Sequence, residues 1–178
     1  KLFNKYSDII FHAKTTNDIF HSKKNNKLAI IFGFQNSAPI SNDIYLVEKF
    51  FIKGLRFMQL TYNNQTALGG GCFEKIDSGI SRFGRAVIEE MNRLGMIIDL
   101  SHAGRKTCLD AIEYSKKPVA ISHANPLFFH DSKRNIDNDV LKKLVSKDGF
   151  IGLSLYPLHL KNNNNCKLED FCEMIIKL

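Results

Sequence analysis

Apolar positions along this chain fall into short continuous runs separated by stretches of helical spacing. Residues 28–34 (Leu-Ala-Ile-Ile-Phe-Gly-Phe) form the first run of strand length and residues 55–61 the second. Between them Ile44, Val47, Phe50 and Phe51 keep the period of a helix, which Gly54 stops. Ser81 has the position and chemistry of an N-cap for a helix over 82–94, whose apolar residues are Phe83, Val87, Ile88, Met91 and Leu94. Gly95 stands where a left-handed glycine would close it. Strand 96–100, helix 105–114, strand 119–122, helix 138–145, strand 150–155 and helix 168–178 then alternate. An amphipathic stretch over 6–20 and a basic turn at 23–27 precede the first strand. Residues 62–80, with Gly69-Gly70-Gly71, form a loop long enough to suggest a functional segment or a lid.

The strand runs are apolar on both faces, and a helix follows each. That is the signature of a parallel sheet covered by helices. Five strand–helix units in 178 residues are fewer than an eight-unit barrel of about 250 residues requires. Part of a (β/α)8 barrel is therefore expected, with a complete five-stranded doubly wound sheet as the competitor.

Composition narrows the function classes. A hydrophobic fraction of 44% and a charged fraction of 24% are those of an ordinary globular chain. No apolar run approaches the ~20 residues of a membrane span. The net charge of +7 invites a nucleic-acid reading, but the lysines are dispersed and no aromatic-interleaved basic stripe appears. Cys72, Cys108, Cys166 and Cys172 share no C-x-x-C spacing, so neither a disulfide framework nor a zinc knuckle is expected. A reducing, cytoplasmic compartment fits that usage.

Two strand ends carry the candidate chemistry. Residues 96–102 and 119–123 both close in Ser-His, placing His102 and His123 on neighbouring strands 21 positions apart. Parallel neighbours would bring both imidazoles to the rim where α/β folds hold their sites. Neutral imidazole is the commonest metal ligand, so a shared metal ion is the leading hypothesis. Asp99 could orient a neighbouring ligand or serve as a buried structural carboxylate. Arg134 lies in a polar loop at the same rim and could pair bidentately with a carboxylate. Gln35 ends the first strand with an amide, a weak and uncharged metal ligand, where a carboxylate would bridge two ions. Tyr62 and Asn63 close the second strand as candidate substrate contacts. His12, His21 and His159 read as surface or packing residues.

These segments resemble the membrane (renal) dipeptidase family of zinc peptidases, a metal-dependent hydrolase branch on a (β/α)8 barrel. The resemblance rests on Gly54 through Asn63, on Gly84 through Glu-Met-Asn-Arg-Leu-Gly to Asp99-Leu100-Ser101-His102, and on Pro118 through Asn125. Arg134-Asn135 followed by Asp139 continues it. It implies that His102 and His123 are the two histidine ligands of one zinc in a two-zinc site. Arg134 would receive the substrate's C-terminal carboxylate. Attack on a dipeptide amide by a metal-bound hydroxide is the implied chemistry. The family's bridging glutamate aligns with Gln35, and its substrate-contacting histidine aligns with Tyr62.

The family's first-strand His-x-Asp and last-strand aspartate have no counterpart in residues 1–178. The chain is therefore expected to be a single incomplete-barrel domain lacking the first and last strands. It would hold at most one zinc, with weak or no activity alone, and its exposed barrel edges would invite self-association. A non-catalytic remnant or binding module on the same scaffold is the alternative, and nucleic-acid binding ranks last.

Overall fold

The computed structural model describes every residue from Lys1 to Leu178. Its main sheet has five parallel strands in the order β3 (Phe32–Phe34), β4 (Leu55–Gln59), β5 (Ile97–Asp99), β6 (Ala120–Ile121) and β7 (Phe150–Ile151). Spatial order follows chain order without reversal. A doubly wound sheet reverses its order at a switch point, so this winding is the arc of a (β/α)8 barrel.

The connections are the expected helices: α3 (Tyr45–Ile52), α4 (Arg82–Leu94), α5 (Arg105–Tyr114) and α6 (Asn138–Ser146), with α7 (Leu168–Lys177) after β7. The Ser81 hydroxyl accepts a hydrogen bond from the Gly84 amide at 2.9 Å and caps α4. Gly95 closes α4 in the left-handed region, with φ of 74°. Val87, Ile88 and Met91 of α4, Cys108, Ala111 and Ile112 of α5, and Val140 and Leu144 of α6 are buried against Met58, Ile98, Leu100 and Ile121 of the sheet. Each large apolar side chain so buried contributes roughly 1.5–3 kcal/mol. The core thus fixes the strand directions, and the strand ends inherit that rigidity.

The N-terminal quarter departs from the sequence expectation. The stretch 6–20 is not one amphipathic element. After a short α1 (Leu2–Lys5) it contains β1 (Ile10–His12) and the start of α2 (Thr16–Lys24), which Thr15 and Asp18 close in a capping box. The run 28–34 is also two strands. Its first part, β2 (Leu28–Ile30), pairs with β1 in a separate two-stranded sheet, and its second part is β3. The chain changes sheets at Ile31, which is exposed, and the β3–β4 register shifts at Phe32/Gly33. An unbroken apolar run conceals such a switch, because both pieces are equally strand-like.

Candidate functional site

A cleft of about 630 Å³ opens at the C-terminal rim of the sheet. Gln35 from the end of β3, Tyr62 and Asn63 beyond β4, His102 beyond β5 and His123 beyond β6 line it, joined by Arg134. All five residues singled out for metal or substrate (Gln35, Tyr62, His102, His123 and Arg134) therefore meet in one place. They converge because parallel strands deliver every C-terminal end to the same side.

His102 adopts a left-handed backbone conformation, with φ of 68°. Such a conformation is costly for a non-glycine residue and is held by its surroundings. Its carbonyl accepts from the Cys72 amide at 3.0 Å and the Thr61 hydroxyl at 3.3 Å. The ring is turned towards the next strand, where its Nε2 stands 2.9 Å from Nε2 of His123. Tyr62 stacks on the outer side of the same ring, with centroids 4.0 Å apart.

The outer nitrogens of the two rings determine what the inner ones can do. Nδ1 of His102 lies 2.7 Å from Oδ1 of Asn63, an oxygen that also accepts from the Cys72 thiol at 3.7 Å. An acceptor at that distance places the proton on Nδ1 and leaves Nε2 bare. Nδ1 of His123 lies 2.8 Å from the Ser122 hydroxyl, which also contacts Oδ2 of Asp99 at 2.5 Å. With both protons on Nδ1, two lone pairs face one another across the 2.9 Å gap, an arrangement that a cation between them would relieve. Two imidazole nitrogens on one tetrahedral zinc stand about 3.3 Å apart. The pair fits one ion after opening by a few tenths of an ångström.

Electrostatics keep both rings neutral. Burial pushes the His102 imidazole down to about 3, and the Arg134 cation and His123 push the same way. His123 is lowered too, by burial and then by Arg134 against the opposing pull of Asp99. Burial alone would raise the Asp99 carboxyl. Hydrogen bonds from Ser122 and Ser101 outweigh it and hold the group below the usual carboxylate range. Neutral rings are the ligating form. Beyond the two imidazoles, no group of three or more His, Cys, Asp or Glu side chains converges here or elsewhere. The donor set is short of the three or four ligands of an ordinary zinc site.

Arg134 is buried, and its Nη2 donates to the His123 carbonyl at 3.1 Å while the guanidinium faces the cleft. Gln35 sits on the opposite wall and is exposed.

Several residues carry more than their sequence context conveyed. Asn63, expected to touch substrate, has its carbonyl oxygen occupied by His102. His159, expected to be a surface or packing residue, lines the cleft from a short 3-10 turn (Pro157–His159) and is buried, with its Nδ1 unpartnered. Burial, with Arg134 and His123 adding to it, lowers its imidazole to about 4. Two fully or nearly buried amides, Asn125 and Asn135, grip the His159 carbonyl at 3.1 and 3.0 Å and fix that turn. The loop 62–80 is not a free flap. Asp77 accepts from the amide and hydroxyl of Thr107 at 3.0 and 2.7 Å, and the Gly104 amide donates to Gly70. Gly71 passes so close to Asn63 that an added Cβ would sit 2.1 Å from its carbonyl oxygen. The glycine run therefore lets the loop press Asn63 and Cys72 against His102.

Comparison with known proteins gives a consistent result. The family model described as membrane dipeptidase (peptidase family M19) matches residues 1–177. An uncharacterised dipeptidase of Schizosaccharomyces pombe, C965.12, is 27% identical over the whole of this chain and 44% of its own length. An amidohydrolase of Pseudomonas aeruginosa superposes with a TM-score of 0.95 at 37% identity, covering 99% of this chain and 54% of that one. A metallopeptidase of Rhodobacter sphaeroides, solved with a phosphinate mimic of the dipeptide L-Ala-D-Ala, shares the fold with a TM-score of 0.87 at 20% identity, over 94% of this chain and 51% of that one. The chain spans about half the length of the proteins it matches.

Proposed function

This chain belongs to the membrane dipeptidase family, and we propose that its cleft is the histidine-bearing half of a metal-dependent dipeptidase centre. In the whole protein, that centre hydrolyses the amide bond of dipeptides. His102 and His123 hold the ion through their Nε2 atoms, zinc being the expected metal and one ion the most this chain binds. Gln35 offers at best a weak oxygen ligand. Arg134 receives the substrate's terminal carboxylate with the N–H groups not engaged by His123. Tyr62 holds the His102 ring from outside and walls the substrate in. When bound, a divalent cation supplies Lewis acidity to the scissile amide. The single observation that carries the reading is the pair of imidazole Nε2 atoms 2.9 Å apart at the rim of the cleft.

A second reading, a binding module that keeps the scaffold without turnover, is favoured by the short ligand set. Both are tested by mixing the 178-residue chain with zinc and Gly or Ala dipeptides and measuring binding and hydrolysis separately. The proposed division of labour predicts dipeptide binding that falls at least tenfold in Arg134→Lys, with hydrolysis weak or absent in the chain alone. Undiminished binding in that variant contradicts the role given to Arg134. Rapid hydrolysis overturns both the binding-module reading and the expectation of weak activity.

A further inference from the structure

Asp99 hydrogen-bonds neither imidazole, yet it organises the end of β6. Its carboxylate accepts from Gln59 Nε2 at 3.1 Å, the Ser101 amide at 3.0 Å, the Ser101 hydroxyl at 2.8 Å, the Ser122 amide at 2.9 Å and the Ser122 hydroxyl at 2.5 Å. Five donors and no acceptor surround it. A hydroxyl has one hydrogen. The Ser122 hydrogen is committed to Asp99, so towards His123 Nδ1, at 2.8 Å, its oxygen can only accept. The Ser101 hydroxyl is committed to Asp99 in the same way, and its oxygen accepts the backbone amide of His123 at 3.1 Å. One carboxylate thus holds both the ring and the backbone of His123 through two serine hydroxyls.

We propose that Asp99 is a positioning residue that acts through the Ser122 hydroxyl, locking His123 with its proton on Nδ1 and its Nε2 bare towards the cleft. This rests on the reading of His123 as a metal ligand. It adds that the ligand's tautomer is set in advance by a neighbouring carboxylate that never meets the ion. Metal-binding histidines elsewhere commonly donate to a carboxylate directly; here a serine hydroxyl is interposed. Asp99 ends β5 and pairs with Ala120 of β6, and Ser122 directly follows that strand, so the link is anchored at the rim of the paired sheet.

The test uses the full 178-residue chain at neutral pH. Imidazole 15N spectra of the metal-free protein report which nitrogen of His123 is protonated, and cobalt(II) titration reports affinity. Wild type is expected to show Nδ1 protonated and Nε2 bare. Ser122→Ala is expected to lose that preference and to weaken cobalt(II) binding about 10–100-fold. Ser122→Thr keeps the hydroxyl and is expected to restore both. A His123 protonated on Nε2 in wild type, or an unchanged tautomer in Ser122→Ala, overturns the proposal. If the chain binds no cobalt(II) but His123 shows the Ser122-dependent tautomer, the positioning role stands and the metal reading falls.

Discussion

On the β5–β6 side of the cleft, Asp99, Ser101, Ser122 and His123 interlock through hydrogen bonds of 2.5–3.1 Å. On the β3–β4 side, Gln35 and Tyr62 stand exposed. Both walls are made from the ends of parallel strands in one sheet, so the backbone does not explain the contrast. The carboxylate does. Asp99 gives the polar groups around it a common acceptor, whereas the β3 end offers an uncharged amide. The first wall is ordered before any ligand arrives, and the second supplies contour without charge.

The largest effect should come from removing that common acceptor. Asp99→Ala leaves two serine hydroxyls, two backbone amides and the Gln59 side-chain amide without their partner, and is expected to cost about 3–5 kcal/mol in urea unfolding. Gln35→Ala, on the other wall, should stay within about 0.5 kcal/mol. Comparable costs at the two positions would erase the contrast.

Acid should then act on the first wall. His102, His123 and His159 all have imidazoles lowered by the fold, so the unfolded chain binds protons that the folded chain refuses. Their contribution is intact above the unfolded value near 6.5. It is lost as pH falls through the window down to about 4 for His159 and about 3 for His102. The lowered Asp99 adds to the loss at the acid end. Stability measured against pH should therefore decline from about 6.5 downward, and His102→Gln should flatten the decline. A profile unchanged by that substitution would remove His102 as a source.

A smaller change sharpens the comparison by giving the second wall a charge. Gln35→Glu is expected to raise cobalt(II) affinity about tenfold, near 1.4 kcal/mol, if Gln35 faces the same ion as the histidines. Equal affinity would place Gln35 outside the ligand set. Asn63→Ala is expected to cost less than Asp99→Ala, about 1 kcal/mol of stability, since it leaves only the Nδ1 proton of His102 and the weakly bonded Cys72 thiol without their acceptor.

Strand and helix were legible because a parallel sheet needs apolar runs and its helices need apolar stripes; helix α5 coincides with its expected bounds, and Ser81 and Gly95 cap α4 as their chemistry required. The same logic brought His102, His123, Gln35, Tyr62 and Arg134 to one rim. What stayed hidden depends on events no periodicity records. One is the change of sheet at Ile31. Others are the left-handed turns at Asn63 and His102, with φ of 61° and 68°, and the rotamers that join Ser122 to both Asp99 and His123. His159 was concealed by distance along the chain. It reaches the cleft on a turn eight positions beyond the end of β7, tied to the rest of the site by Asn125 and Asn135.

The central claim is that the two bare nitrogens of His102 and His123 hold one ion. Calorimetric titration of the metal-free 178-residue chain with zinc tests it most directly, with His102→Ala and His123→Ala alongside. The account predicts one ion per chain in wild type and a loss of at least a hundredfold in affinity for either variant. Absence of zinc binding in wild type, or binding that either substitution leaves intact, would contradict it.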